Sequence, residues 1–471
     1  MMAAIGRSAA GSETLRAGGA AGIMISIRVL GAFGTLAYTV ILARMLSPQD
    51  FGLVWTLWSG AFIAAYLSTL NIGATAIREV VRARASGNDA AAAGFVIVSR
   101  RVLLLACLPV VATFLGLIWF RNPDMAESYP IAVLMAAAMI PVMGWNATNA
   151  AQAVALDKVL RSQVPGMVLR PLVFCVVLGC AWLIGISVSL EIVVGLYLSI
   201  VGLIAMVQFV LLRRFFDFMR NTTPDTKGWQ RWITTGLLLA PNRLLTDRLR
   251  DVLLLVAAIP LGAVGVAQMA VALSVVTFLS FAVNAVETSF APKISRSIAR
   301  ALSEGDHAHE DPRTLHFIAI SGALKLGLMA AGAAVLWLFM PLVIRLFGSD
   351  YAASEAVIWW VFLIPLASAF FGNTALVMQL FDKRRAFFLT SVAALLTLVA
   401  VGISVVPMIV ALGHDALIVT AAGFAVTMIA LQAVRWALCR ITTGIDVSAI
   451  GALARWYRHM PTHHKDKEVD A

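Results

Sequence analysis

Residues 190–214 read LEIVVGLYLSIVGLIAMVQFVLLRR. From Ile192 to Leu212 this stretch holds no charged side chain, and it ends on the pair Arg213 and Arg214. A helix rises ~1.5 Å per residue, so about 20 apolar residues cross the ~30 Å of bilayer hydrocarbon. The stretch therefore predicts a membrane-spanning helix that stops on cations at the interface. Apolar blocks of the same kind recur at about 18–42, 51–77, 94–120, 130–156, 164–186, 190–212, 233–259, 264–289, 314–341, 355–381, 386–411 and 416–438. The expected fold class is an all-α polytopic membrane protein with about twelve transmembrane helices.

Composition agrees with the blocks. Of 471 residues, 61% are hydrophobic and 13% charged, against about 25% charged in a soluble domain. A large soluble domain is excluded. The net charge of +11 would suggest nucleic acid on a soluble protein, but most Lys and Arg lie between the apolar blocks, so it is assigned to membrane topology and no nucleic-acid partner is expected. Cys107, Cys175, Cys180 and Cys439 form no CxxC pair, which argues against a disulfide framework or a zinc site. Arg7 and Arg16 precede an apolar stretch much longer than the ~7–15 residues of a signal-peptide core, so an uncleaved first helix is expected.

The connections alternate in charge. Odd-numbered gaps hold Arg44, Arg121 and Arg345, whereas even-numbered gaps hold 17 Lys and Arg, from Arg78 to the run Lys383–Arg385. By the positive-inside rule this predicts a multi-pass inner (plasma) membrane protein with both termini cytoplasmic. Trp55, Trp58, Trp119, Trp182, Trp337, Trp359 and Trp360 fall near the expected outer ends and Trp229, Trp232 and Trp436 near the inner ones, as an interfacial belt requires.

The polar stretch 213–232 divides the chain into an N-terminal lobe of six helices (1–222), a C-terminal lobe of six (223–440) and a cytoplasmic tail (441–471). A faint internal echo supports two halves: the turn 47–52, SPQDFG, occupies the place of 260–265, PLGAVG. The tail places Ile445, Val447, Ile450, Leu453, Ala454 and Trp456 at near-helical spacing, as an interfacial amphipathic helix would.

An enzyme needs loops long enough for nucleophiles or carboxylates to converge, and the outer connections are short, with no GxSxG or HExxH motif. No catalytic residue and no cofactor is expected. Glu304, Asp306, His307, His309, Glu310 and Asp311 have metal-friendly side chains but read as a solvated loop, so no metal is expected either.

Charge inside the membrane is the remaining signal, because each such group costs at least ~2.5–3.5 kcal/mol and so tends to face a cavity. The candidates are Arg28, Arg243, Asp247, Arg248, Arg250, Asp251, Glu287 and Lys325. At ~100° per residue Arg243, Asp247, Arg250 and Asp251 share one stripe of the seventh helix, with Arg248 to its side. Arg243 with Asp247, and Arg250 with Asp251, can neutralise each other. Arg28, Arg248 and Lys325 have no evident partner, and a net basic interior suits an anion such as phosphate, which arginine grips with two parallel hydrogen bonds.

The run LARMLSPQDFG (residues 42–52) resembles the signature of the polysaccharide biosynthesis (Wzx-like) flippases of the MATE/MOP exporter superfamily. So do TDRLRDVLLL (246–255) followed by GAVG (262–265), then Ala291-Pro292-Lys293, and Leu346-Phe347-Gly348 with Tyr351. The chain departs from that pattern at Val266-Ala267-Gln268, where the family often has Tyr. The resemblance implies two six-helix lobes around a central cavity that alternate between inward-open and outward-open states. It implies a flippase, not an enzyme, that moves undecaprenyl-diphosphate-linked oligosaccharide for surface or exopolysaccharide biosynthesis. Its partners would be the polyprenyl-diphosphate-linked glycan, membrane lipid and polysaccharide polymerase or export machinery. Substrate contacts are expected from Arg28, Arg243, Arg248 and Lys325, and coupling from Asp247, Asp251 and Glu287. A MATE-like exporter of small organic molecules is the alternative, and a membrane polymerase or ligase a lesser one.

Overall fold

The computed structural model describes residues 26–219, 222–304, 311–381 and 383–458. Among them there are helices and no strands. Spans 1 to 6 are Ser26–Met45, Pro48–Ala85, Asp89–Arg121, Pro130–Ala155, Val159–Leu183 and Leu190–Met219. Spans 9 to 12 are Pro312–Phe347, Ser354–Phe371 with its continuation Thr374–Leu380, Arg385–Val410 and Ala416–Thr443.

Spans 7 and 8 need separate treatment, since 11 helices are long and apolar enough to cross a membrane and one of them, Leu249–Ala301, is too long for a single crossing. Gly262, with φ 64° and ψ −175°, interrupts it. Arg250 donates to Ser274 Oγ at 2.7 Å, and these two residues are equally far in sequence from Gly262, which is the signature of an antiparallel hairpin turning there. Span 7 is therefore Trp229–Asp247 continued from Leu249 to the reversal, and span 8 follows it. The expectation of one unbroken helix over 233–259 is corrected: Arg248, at φ −129° and ψ 17°, breaks it. With the helix broken, the single stripe of Arg243, Asp247, Arg250 and Asp251 does not form.

Local sequence sets the helix ends. Ser47 accepts from Asp50 N with Pro48 in the first turn, and Asp311 accepts from Thr314 N with Pro312 likewise, so side chains and proline satisfy or remove the free N–H groups. Asp415 caps span 12 in the same way. Pro109, Pro141, Pro241, Pro365 and Pro341 lie inside helices, and the π-helical turns Pro165–Leu169 and Val401–Val405 stand at or just before a proline. Such departures are tolerated where neighbouring helices re-satisfy the backbone. Leu105, Leu108, Phe120 and Trp337 are exposed and supply the lipid-facing surface.

The packing differs between the two ends of the bundle. At the end where spans 1 and 2, and 7 and 8, turn back, one hydrophobic core joins both lobes: Tyr38, Phe51, Trp55 and Trp58 pack with Val252, Val266, Tyr351 and Phe424. A Cβ on Gly52 would overlap the carbonyl oxygen of Ala263, so the two repeated turns touch backbone to backbone. Arg44 of span 1 donates to the carbonyls of Arg345 and Leu346 at the end of span 9. At the opposite end, which holds the 213–228 connection and the last helix, the cores are separate. One consists of residues from spans 8 to 12 and the last helix, including Ile294, Ile318 and Phe387. The others contain Ile72, Phe95 and Leu212. The lobes are thus closed together over a broad core at the turn end, whereas at the other end only the start of span 7 shares a core with the N lobe.

One expectation changes on this frame. Trp55 and Trp58 are 1% and 0% exposed and belong to the shared core rather than to an interfacial belt, whereas Trp119, Trp182, Trp229 and Trp337 are exposed as a belt requires. The start of span 7 is fastened to the N lobe: Asp225 N donates to Ala90 O, Arg231 and Trp232 donate to Glu79, and Asn71 donates to Gly236 O. The polar connection before span 7 is thereby docked on the N lobe.

Candidate functional site

The intramembrane charges gather into two clusters. The first surrounds the break in span 7. Arg243 and Asp247 pair at 3.1 Å, both half exposed. Arg248 reaches Asp251 at 3.5 Å and lies 5.8 Å from the Phe62 ring of span 2. Arg250 lies 3.9 Å above the Trp55 ring, and Tyr66 donates to Ala240 O at 3.5 Å. Span 2 of one lobe thus faces span 7 of the other through aromatic rings and guanidinium groups. The pairing of Arg250 with Asp251 that sequence suggested is corrected: the break at Arg248 turns Arg248 onto Asp251 and leaves Arg250 to Ser274 and Trp55.

The second cluster lies in the C lobe. Lys325 of span 9 is 1% exposed. Its Nζ donates to Asn373 Oδ1 at 2.7 Å and stands 4.0 Å from Glu287 Oε2 of span 8. Asn373 in turn donates to Ser321 Oγ at 3.4 Å. Lys325 therefore has an acidic neighbour after all, one 38 positions upstream that only the hairpin of spans 8 and 9 brings within reach. Arg28 of span 1 donates to Thr288 Oγ1 at 3.3 Å, next in sequence to Glu287. Span 1 of the N lobe thereby meets the Lys325 cluster of the C lobe.

Chemically this is a binding arrangement. Lys325 is held by one neutral amide and one carboxylate that is 39% exposed, so its charge is only partly compensated. An anion can replace Glu287 as its partner at little cost in desolvation, since the ammonium is already out of water. Among the described residues no group of three His, Cys, Asp or Glu is placed to hold a metal ion. Residues 305–310, with Asp306, His307, His309 and Glu310, lie outside the described residues.

A family model described as "Polysaccharide biosynthesis protein" matches residues 21–247. That stretch is similar to the polysaccharide biosynthesis protein family and covers a little under half of the chain. No curated protein matches the chain significantly. Among solved structures, the inward-facing conformation of a multidrug resistance MATE family transporter of the MOP superfamily matches with a TM-score of 0.69 at 15% identity, covering 92% of this chain and 96% of that one. The outward-facing conformation of a multidrug resistance MATE family transporter gives 0.60 at 15% identity, covering 89% and 94%. A MOP superfamily transporter from Pyrococcus furiosus gives 0.62 at 15% identity, covering 90% and 95%. The chain has the fold of MOP superfamily transporters, which is two six-helix lobes.

Three cations escaped the sequence reading. Arg170 of span 5 is half-buried in the N lobe, between the π-helical turn and Pro171. Arg435 is 3% exposed and donates to Ser391 Oγ, with Phe387 4.4 Å away, a structural tie between spans 11 and 12. Arg100 of span 3 is taken up below.

The segment 444–458 is built into the C lobe beside the second cluster. Ile445 and Val447 are 0% and 1% exposed. A Cβ on Gly372 (φ 75°) would overlap Val447 O, and one on Gly322 would press on Ala449. The hook therefore fills a slot kept open by two glycines, one of them the neighbour of Asn373. Its helix, Ala449–Arg458, docks on spans 9 and 10 through Ala449 and Ala452, while Ile450 stays exposed. Asp446 organises the hook by accepting from Trp436 Nε1 at 2.9 Å and from Ser448 Oγ at 2.7 Å. Burial alone would raise its pKa, but these hydrogen bonds and the Arg455 charge hold it below the ordinary carboxylate value. A depressed carboxylate contributes stability that is present above its unfolded pKa, ~3.9, and is lost as pH falls through the folded value. Asp446→Ala is expected to lower the unfolding temperature in detergent at pH 7, with the gap to wild type narrowing below about pH 4. A gap that persists unchanged at pH 3 would show that the carboxylate charge is not what the hook uses.

Proposed function

We propose that this protein is a flippase that carries an undecaprenyl-diphosphate-linked oligosaccharide across the inner membrane by alternating access, for surface or exopolysaccharide biosynthesis. The observation that carries the reading is Lys325: a fully buried ammonium, undercompensated by Glu287 and Asn373, in a C lobe met by Arg28 of the N lobe. With Arg170, Arg243, Arg248 and Arg250, six cations stand against the three carboxylates Asp247, Asp251 and Glu287. A diphosphate matches that surplus, and an organic cation does not. The family model over residues 21–247 supports the glycan class. A MOP superfamily transporter of similar fold is described by its reversed binding-pocket polarity and a different function, so the fold accommodates more than one pocket charge.

In this reading Arg28, Arg243, Arg248 and Lys325 receive the diphosphate while the lobes stand apart at the terminal end. The sugars occupy the space between the lobes and the polyprenyl tail stays in lipid. Release at the turn end follows when Glu287 and Asp251 reclaim their cations, with Asp247 holding Arg243. A ligand can drive the exchange only by binding one state more tightly than the other. The test is thermal stabilisation of the purified protein. Undecaprenyl-diphosphate-linked sugar at 100 times its Kd is expected to contribute about 2.7 kcal/mol and to raise the unfolding temperature by several degrees. Stabilisation by organic cations instead would support a drug exporter and overturn the flippase reading.

The sidedness is tested by labelling. In a chain with its native cysteines replaced, single cysteines at Gln49 and Asp124 are expected to react with an impermeant reagent applied outside intact cells, and cysteines at Thr226 and Ser303 to be shielded. The reverse pattern would invert the topology and with it the direction of transport.

A further inference from the structure

The N lobe holds a pocket of about 280 Å³ between spans 3, 4 and 6, lined by none of the residues of the two interlobe clusters. Its wall includes Arg100, Asn149, Phe209, Arg213, Phe216 and Asp217. Arg100 is unusual for a cation inside an apolar helix. Its guanidinium lies 5.3 Å from the Trp145 ring and 4.9 Å from the Phe216 ring, and its Nη2 donates to Asn149 Oδ1 at 3.2 Å. Its Nε is buried with no hydrogen-bond partner, and Arg100 forms no ion pair among the described residues. A buried guanidinium edge left without an acceptor costs about 1–3 kcal/mol unless a ligand supplies one.

The position names the ligand. Span 6 passes from Leu212 to Arg213 at this pocket, the point where apolar sequence gives way to cations and the bilayer to water. Phe209, one turn earlier, is 50% exposed and offers an apolar track toward the hydrocarbon. Just beyond, Lys158, Arg161 and Arg214 converge on the Phe215 ring at 5.0, 5.1 and 5.5 Å, and none of the three has a carboxylate partner among the described residues. A ligand here needs an anionic head for Arg100 and Arg213 and an apolar body for Phe209. Basic pockets between transmembrane helices suit anionic lipid headgroups for this reason. Asp217 on the same wall places the anion on the arginine side.

We propose that this pocket binds the phosphodiester headgroup of an anionic membrane lipid, with an acyl chain lying along Phe209. The test is a native mass spectrometry titration of the purified full chain with dioleoyl phosphatidylglycerol, dioleoyl phosphatidylcholine and inorganic phosphate. Wild type is expected to retain the glycerol lipid about tenfold more tightly than the choline lipid, and Arg100→Gln with Arg213→Gln to remove that preference. Phe209→Glu leaves Arg100 and Arg213 in place and sets a negative charge at the mouth, so it is expected to cut retention of the anionic lipid without altering the helical signal. Unchanged preference in both variants would overturn the site. Displacement of the lipid by millimolar phosphate would overturn the lipid assignment in favour of a free anion.

Discussion

Lys325→Gln is expected to abolish glycan export while leaving protein level and membrane insertion near wild type. The ammonium is 1% exposed, and its neighbours are Asn373 at 2.7 Å and Glu287 at 4.0 Å. Glutamine keeps a polar, hydrogen-bonding end and removes the charge, at the cost of one atom of reach. A charge-assisted hydrogen bond to a phosphate is worth ~1.5–3 kcal/mol, so binding weakens by about 10- to 100-fold before any effect on the conformational exchange. The competing account is that Lys325 and Glu287 merely hold spans 8 and 9 together. Under that account Lys325→Gln strands a carboxylate, and Glu287→Gln added to it restores function by removing the stranded charge. Under the anion-site account the double variant stays inactive, because the cation is still missing. Export is measured as surface glycan in cells lacking the wild-type protein. Recovery in the double variant would make the pair structural and move the site to the Arg248 cluster.

The number of spans and the hairpin turns were legible because each rests on local composition: a block of about 20 apolar residues has one solution in lipid. The glycine at 262 and the SPQDFG turn were visible as an echo, and the structure sets these two turns against each other. Pairing was not legible. Glu287 and Lys325 belong to different helices, and only the turn between them decides that they meet. The break at Arg248 was hidden as well, because the residues around it, Thr246 to Asp251, carry no glycine or proline to announce it. Trp55 and Trp58 misled for a related reason: a tryptophan near a span end signals an interface only when its face meets lipid, whereas Trp55 meets Arg250 of the opposite lobe and Trp58 packs on Phe174 and Tyr197 inside its own. Arg170 and Arg100 stand inside the apolar blocks 164–186 and 94–120, within two turns of their starts, where a cation can also snorkel to the interface, so depth alone did not single them out. The hook escaped because burial of Ile445 and Val447 depends on Gly372 and Gly322, about 70 and 125 residues away in sequence and silent without the fold.

Gly52→Val is expected to stop export completely, for a reason unconnected with substrate binding. Gly52 lies in the turn-end core between Phe51, which packs on the Tyr351 ring at 5.6 Å, and Trp55, which carries Arg250. Even a methyl group there overlaps the carbonyl oxygen of Ala263, a backbone atom that no side-chain rotation can remove. The clash exists only while the turn end is closed. A penalty of about 3 kcal/mol against the closed form moves a two-state equilibrium by more than a hundredfold, enough to leave the turn end open. Alternating access requires both ends to close in turn, so the variant should bind substrate and fail to cycle. Val266, 0% exposed in the closed state, reports the shift. In a background without native cysteines, Val266→Cys is expected to resist an impermeant thiol reagent in the otherwise wild-type chain and to react in the Gly52→Val chain. A Gly52→Val protein that unfolds would lose its helical signal and its membrane insertion together, and is thereby told apart from one held open. Full export with Val266→Cys still shielded would mean that spans 2 and 7 slide past the added side chain, and that the backbone contact between the two turns is not the gate.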